Sequence, residues 1–141
     1  MNNALPRHAT ALACCGLLPY FAAPLSLTVW PNRSELILAL FATYSFGIIA
    51  FLLGAWWGLA LIRRGTAALW MSNGLFIIAF LGKGLLADGS WLLVAAALMI
   101  AIWLAEGLHW LFRPQPVYYR RLRGTLSWVA AVCLLSASHI T

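Results

Sequence analysis

Along most of the chain, apolar runs of roughly twenty residues alternate with short polar or proline-bearing breaks. A hydrocarbon core of about 30 Å needs about 20 mostly apolar residues per helix, so each run is long enough to cross a membrane. The pattern predicts helices over residues 9–30, 35–62, 67–86, 91–112 and 118–138, forming one integral membrane domain over 1–141. The fold class is therefore all-α, a polytopic membrane helix bundle with about five transmembrane helices. Trp30-Pro31-Asn32-Arg33, Arg63-Arg64-Gly65-Thr66, Asp88-Gly89-Ser90 and Arg113-Pro114-Gln115-Pro116 supply the turns. Pro19 and Pro24 each remove a helix hydrogen bond and predict a kink or break in the first helix.

The second run carries the most distinctive pattern. Thr43, Gly47, Ala50, Gly54 and Gly58 recur at helical steps and fall within roughly 80° of arc at about 100° per residue. Such a stripe lets another backbone approach closely, which in lipid is how helices gain van der Waals contact. It is expected to form the inner wall of the bundle, with Trp57 at its edge and Trp56 pointing away toward something outside the chain. On that expectation Gly54→Leu disrupts folding and Trp56→Ala does not. Ala68, Ser72, Ala79 and Gly82 on the third helix are expected to meet this groove, and Ala97, Ala101 and Ala105 give the fourth a small stripe of its own.

Composition agrees with a membrane class. The chain is 64% hydrophobic and only 9% charged, against about 25% charged in soluble domains; its mean hydropathy is +0.90. Five crossings leave no room for a separate soluble domain. Nine Lys and Arg against three acids give a net charge of +6, but the basic residues lie between apolar runs. They read as topology determinants, not as a nucleic-acid surface. Arg7, Arg63, Arg64, Arg113, Arg120, Arg121 and Arg123 fall on one side, and Arg33 and Lys83 on the other. The positive-inside rule then puts the N-terminus in the cytoplasm and the C-terminus outside. Lys83 can pair with Asp88. Cys14, Cys15 and Cys133 form neither a metal pattern nor a disulfide framework.

Two segments resemble a known family. Phe51, Gly54, Trp57 and Gly58 match a Phe-x-x-Gly-x-x-Trp-Gly helix, and Tyr119, Leu122, Arg123 and Leu126 match a Tyr-x-x-Leu-Arg-x-x-Leu-Thr entry into the last helix. The pattern is similar to the small membrane proteins related to transmembrane protein 69, found in bacterial inner membranes and mitochondria. Trp56 stands where those relatives often carry His or another polar residue, and Ser127 where Thr is usual. The resemblance implies a multi-pass membrane domain and no particular activity.

Glu106 and His109, three residues apart, are the pair most suggestive of chemistry, because an ionisable residue within a membrane helix costs a few kcal/mol unless partnered. A di-iron bundle needs two Glu-x-x-His motifs and further carboxylates, and three acids in the whole chain argue against it. The plain expectation is that Glu106 pairs with Arg113, Arg123 or Arg64; the sharper one is a proton or substrate pathway. His8 and His109 fall on one side, so a bis-histidine haem is conceivable, but no paired-histidine pattern accompanies them. Trp30, Trp70, Trp91, Trp110, Tyr118 and Tyr119 suit an interfacial aromatic belt, while Trp56, Trp57 and Trp103 lie deeper. Arg120 to Arg123 anchor topology or dock an anionic lipid or partner.

No nucleophile with its base, phosphate loop or metal centre is present, so neither catalytic residues nor a cofactor are expected. The reading is a non-enzymatic accessory, assembly or scaffold protein of a bacterial inner membrane, or a mitochondrial one if eukaryotic. Its partners are membrane lipids and another membrane protein complex, met within the bilayer through Trp56 and Trp103. Trp57, His109, Tyr119 and Arg123 are further candidate contacts. A small oligomeric transporter or channel using Glu106 is the alternative, and a lipid- or quinone-handling enzyme a third.

Overall fold

A computed structural model describes residues 4–140. It contains five long helices: α1 (Ala4–Val29), α2 (Ser34–Arg63), α3 (Thr66–Leu85), α4 (Asp88–Leu108) and α5 (Val117–Ile140). Short 3-10 turns occupy Pro31–Arg33 and Trp110–Phe112. The first four helices are long and apolar enough to cross a membrane. The fifth is of similar length but opens with Arg120, Arg121 and Arg123, which lower its hydropathy.

α1 runs from Ala4 to Val29 with both prolines inside it, so of the kink or break expected there the break is corrected. Each proline removes only its own N–H, and neighbouring helices can accommodate the carbonyl it frees. α4 stops at Leu108, short of the expected Phe112, because His109 turns into an extended conformation. Its Nδ1 accepts a hydrogen bond from the Leu111 amide at 3.2 Å, and the chain continues as a 3-10 turn. The ring stacks on Trp110. His109 is therefore a helix-terminating cap, off the face that carries Glu106.

The turn between α2 and α3 has an unusual cap. Arg64 adopts the left-handed conformation, φ 55°, ψ 39°, which usually falls to glycine. Gly65 follows because a Cβ there would lie 2.8 Å from Leu111 Cδ1. Arg63 Nη1 donates to the Leu111 carbonyl at 2.9 Å, so the end of α2 is tied to the turn after α4. At the opposite end of the bundle Lys83 and Asp88 pair at 2.9 Å, as their spacing suggests.

α5 packs chiefly against α4 and α1, and α2 against α3, α4 and α1. Ile49, Trp91, Leu92, Ile102 and Leu134 are completely buried between them. Trp91, expected in an interfacial belt, is turned into the bundle instead of outward. Its indole donates to the Ala42 carbonyl at 3.0 Å and to Ser45 Oγ at 2.9 Å, and an α4 tryptophan thereby fastens the start of α4 to the first half of α2. Gly82 makes room for it, since a Cβ there would lie 3.1 Å from the Trp91 ring.

Candidate functional site

Three residues from three helices meet near one end of the bundle. The Arg123 guanidinium forks onto Glu106, Nη2 to Oε1 at 2.6 Å and Nε to Oε2 at 3.2 Å. Trp56 Nε1 donates to the same Oε1 at 2.9 Å. The two charged side chains are only 9% and 10% exposed, and Trp56 is 2% exposed with its ring 5.0 Å from that of Phe112. Both carboxylate oxygens are thus engaged by planar donors in the geometry that makes charge-assisted bonds strongest. Of the three arginines weighed as partners for Glu106, the structure selects Arg123. The carboxylate binds α2, α4 and α5 into one unit.

This reverses both orientations expected for α2. Its buried line runs through Ala42, Ser45, Ile49, Leu53, Trp56 and Ala60. At about 100° per residue the small-residue stripe is centred roughly 140° away from that line. Thr43, Gly47, Gly54 and Gly58 are accordingly exposed and Ala50 half-buried, and a Cβ added at Gly47, Gly54 or Gly58 would meet nothing within 4 Å. The stripe is no inner wall of this chain, and Trp56 faces inward. Trp57 does border the stripe and is 43% exposed. The physical reason is that in lipid both faces of a helix are apolar. The inward face is then chosen by the groups that must be satisfied there, here the Trp56 indole and the Ala42–Ser45 acceptors for Trp91.

The other small faces divide. Ala68, Ser72 and Ala79 of α3 are buried, although the groove they were expected to meet is open. Ala97 and Ala101 of α4 are exposed and Ala105 half-buried. Trp103 is also half-buried, edge-on to Trp128 at 5.7 Å and close enough to Gly124 that a Cβ there would lie 3.0 Å from its Nε1. Tyr119 is half-buried and His8 exposed.

Two cavities flank Arg123. One, about 490 Å³, lies where α4 ends and α5 begins, and is lined by Trp103, Glu106, Gln115, Arg120, Arg121 and Arg123 among others. The second, about 400 Å³, is an apolar cleft between α1, α2 and α5, floored by Met99 of α4. Tyr119, Leu122, Arg123, Leu126 and Ser127, the segment that carries the last-helix resemblance, all line it. Tyr20 and Ser127 line it too, each 2% exposed, and their hydroxyl oxygens are buried without a hydrogen-bond partner. An unsatisfied buried hydroxyl costs about 1–3 kcal/mol, so each calls for an explanation. Tyr20, between two prolines in an apolar run, does not stand out in the sequence, and Ser127 does so only in standing where relatives of the resembled family usually carry Thr. Among the described residues no group of three or more His, Cys, Asp or Glu side chains is placed to hold a metal.

A family model described as protein of unknown function (DUF3429) matches residues 5–138. No curated protein and no solved structure matches the chain.

Proposed function

The chain belongs to the family described as protein of unknown function (DUF3429), and we propose that within it this protein is a non-enzymatic membrane scaffold or accessory subunit. It spans an inner membrane five times, N-terminus in the cytoplasm, and receives a helix of another membrane protein against the outer face of α2. The observation that carries this reading is the open stripe of Thr43, Gly47, Gly54 and Gly58, with half-buried Ala50 at its edge. Small residues favour close backbone approach in lipid, and among the described residues nothing lies within 4 Å of a Cβ added at Gly47, Gly54 or Gly58. Trp57 beside them supplies an exposed ring at the rim. The resemblance to the proteins related to transmembrane protein 69 agrees with a multi-pass domain in a bacterial or mitochondrial inner membrane. The test is mild-detergent purification of wild type and Gly54→Leu, followed by mass spectrometry. A membrane-protein partner retained by wild type and lost from a still-folded Gly54→Leu supports the reading, and equal retention removes its basis.

A transporter or channel reading rests on Glu106 lining the 490 Å³ cavity. The carboxylate is already held by Arg123 and Trp56, which favours a structural role. Flux through reconstituted protein that is sensitive to Glu106→Gln would restore the transport reading.

A further inference from the structure

The cavity where α4 ends and α5 begins carries more positive charge than its own walls balance. Arg120, Arg121 and Arg123 line it against the single carboxylate of Glu106, and that carboxylate is already engaged by Arg123 and Trp56. The side chains of Arg120 and Arg121 are exposed and make no ion pair among the described residues. Their position aggravates the imbalance. α5 begins at Val117 with no acid in its first turn, so both cations sit in the first two turns of a helix, where the backbone dipole favours anions. Arg120 also lies one turn from Arg123, a like-charged spacing that is unfavourable in itself. An anion in the cavity offsets all of these terms.

The remaining walls indicate what carries the anion. Leu104, Leu108 and Val117 also line the cavity and are 48%, 80% and 63% exposed, so beside the arginines it opens onto an apolar, lipid-facing surface. From Trp103 to Leu108 along α4, and from Val117 to Arg123 along α5, it extends about 8–9 Å at 1.5 Å per residue. The interfacial layer on each side of a 30 Å hydrocarbon core is about 5–8 Å thick. A cavity of that depth at the end of the bundle spans the headgroups and stops where the tails begin. A free inorganic anion uses the arginines and leaves the apolar rim bare, whereas a phospholipid uses both. A volume of about 490 Å³ lies within the range of about 300–1,000 Å³ typical of small-molecule pockets.

We propose that this cavity binds the headgroup of an anionic glycerophospholipid, its phosphate on Arg120 and Arg121 and its acyl chains leaving past Leu104, Leu108 and Val117 into the bilayer. The inference goes beyond a scaffold role and shares with it only the premise that the bundle spans a membrane. Gly107 supplies a variant that separates a built site from a general positive field. It lines the cavity, and a Cβ added there meets nothing within 4 Å, so Gly107→Leu adds bulk to the wall and leaves every charge in place. Purified protein in mild detergent is titrated with phosphatidylglycerol and, separately, with phosphatidylcholine and inorganic phosphate. Bound lipid is counted by native mass spectrometry and the melting temperature is followed in parallel. Wild type holds phosphatidylglycerol more than about tenfold more tightly than phosphatidylcholine and is stabilised by it, and inorganic phosphate displaces none. Arg120→Gln and Arg121→Gln each weaken phosphatidylglycerol binding about fivefold, the worth of one arginine near an anionic surface. Gly107→Leu abolishes the preference, and Arg7→Gln, which removes an exposed cation outside the cavity lining, leaves it unchanged. All four positions are exposed, and melting without added lipid tells a folding loss from a binding loss. No preference in wild type, a loss in Arg7→Gln equal to that in Arg120→Gln and Arg121→Gln, an undiminished preference in Gly107→Leu, or displacement by phosphate overturns the assignment. None of these outcomes bears on whether Gly54→Leu loses a protein partner.

Discussion

Arg123 and Glu106 form an ion pair almost sealed from solvent, and the sign of each substitution there follows from what it leaves behind. Removing one partner strands the other as a buried charge, which costs about 3–5 kcal/mol, whereas exchanging both for apolar residues of similar size is often neutral or stabilising. Glu106→Met and Arg123→Met are each expected to lower stability in detergent by about that amount. The double variant Glu106→Met, Arg123→Met is expected to recover most of it. Denaturant titration followed by tryptophan fluorescence closes this cycle, and additive losses would mean the pair does not interact. The pairing itself was legible in the sequence, because a lone acid in an apolar helix must find a cation. Which of Arg64, Arg113 and Arg123 it finds was not, because that choice depends on α5 lying along α4. Trp56 was misread for a related reason. An indole can face lipid or core, and only the carboxylate across the interface at 2.9 Å decides between them.

At the scale of elements, runs of apolar residues located all five helices because length and hydropathy are local properties. The helix ends were less legible. α4 terminates where His109 caps Leu111, a choice made by one side chain's hydrogen bond, and α1 passes through two prolines that elsewhere would end a helix. The faces of the helices were least legible, since a moment between polar and apolar sides vanishes in lipid. On α2 the same five small residues satisfy an inner-wall pattern and an outer-groove pattern equally well. The α2–α3 turn offers a direct test of local strain. A non-glycine residue in the left-handed region costs about 1–2 kcal/mol, and Arg64 is the residue that bears it. Arg64→Gly is expected to raise the melting temperature modestly, provided the Arg63 contact to Leu111 is kept. An unchanged or lower value would mean that the arginine side chain repays the strain.

For the whole molecule, the distribution of arginines implies an orientation that thiol labelling can read. In a background free of Cys14, Cys15 and Cys133, a cysteine at His139 is expected to react with a membrane-impermeant maleimide in intact cells, and one at Arg113 only after permeabilisation. The reverse pattern would invert the bundle. Within that frame α2 plays two roles at once. Its Trp56 side locks α4 and α5 through Glu106 and Arg123, while its glycine side is left open by the described residues. The comparison of Gly54→Leu with Trp56→Ala separates these roles most directly. Both are purified in mild detergent and scored for thermal stability and for the membrane-protein partner retained. Gly54→Leu is expected to melt with wild type and lose the partner, and Trp56→Ala to lose about 3–5 kcal/mol of stability, as large aromatic truncations in a packed interior do. A destabilised Gly54→Leu beside an intact Trp56→Ala would contradict the placement of α2 on which the account depends.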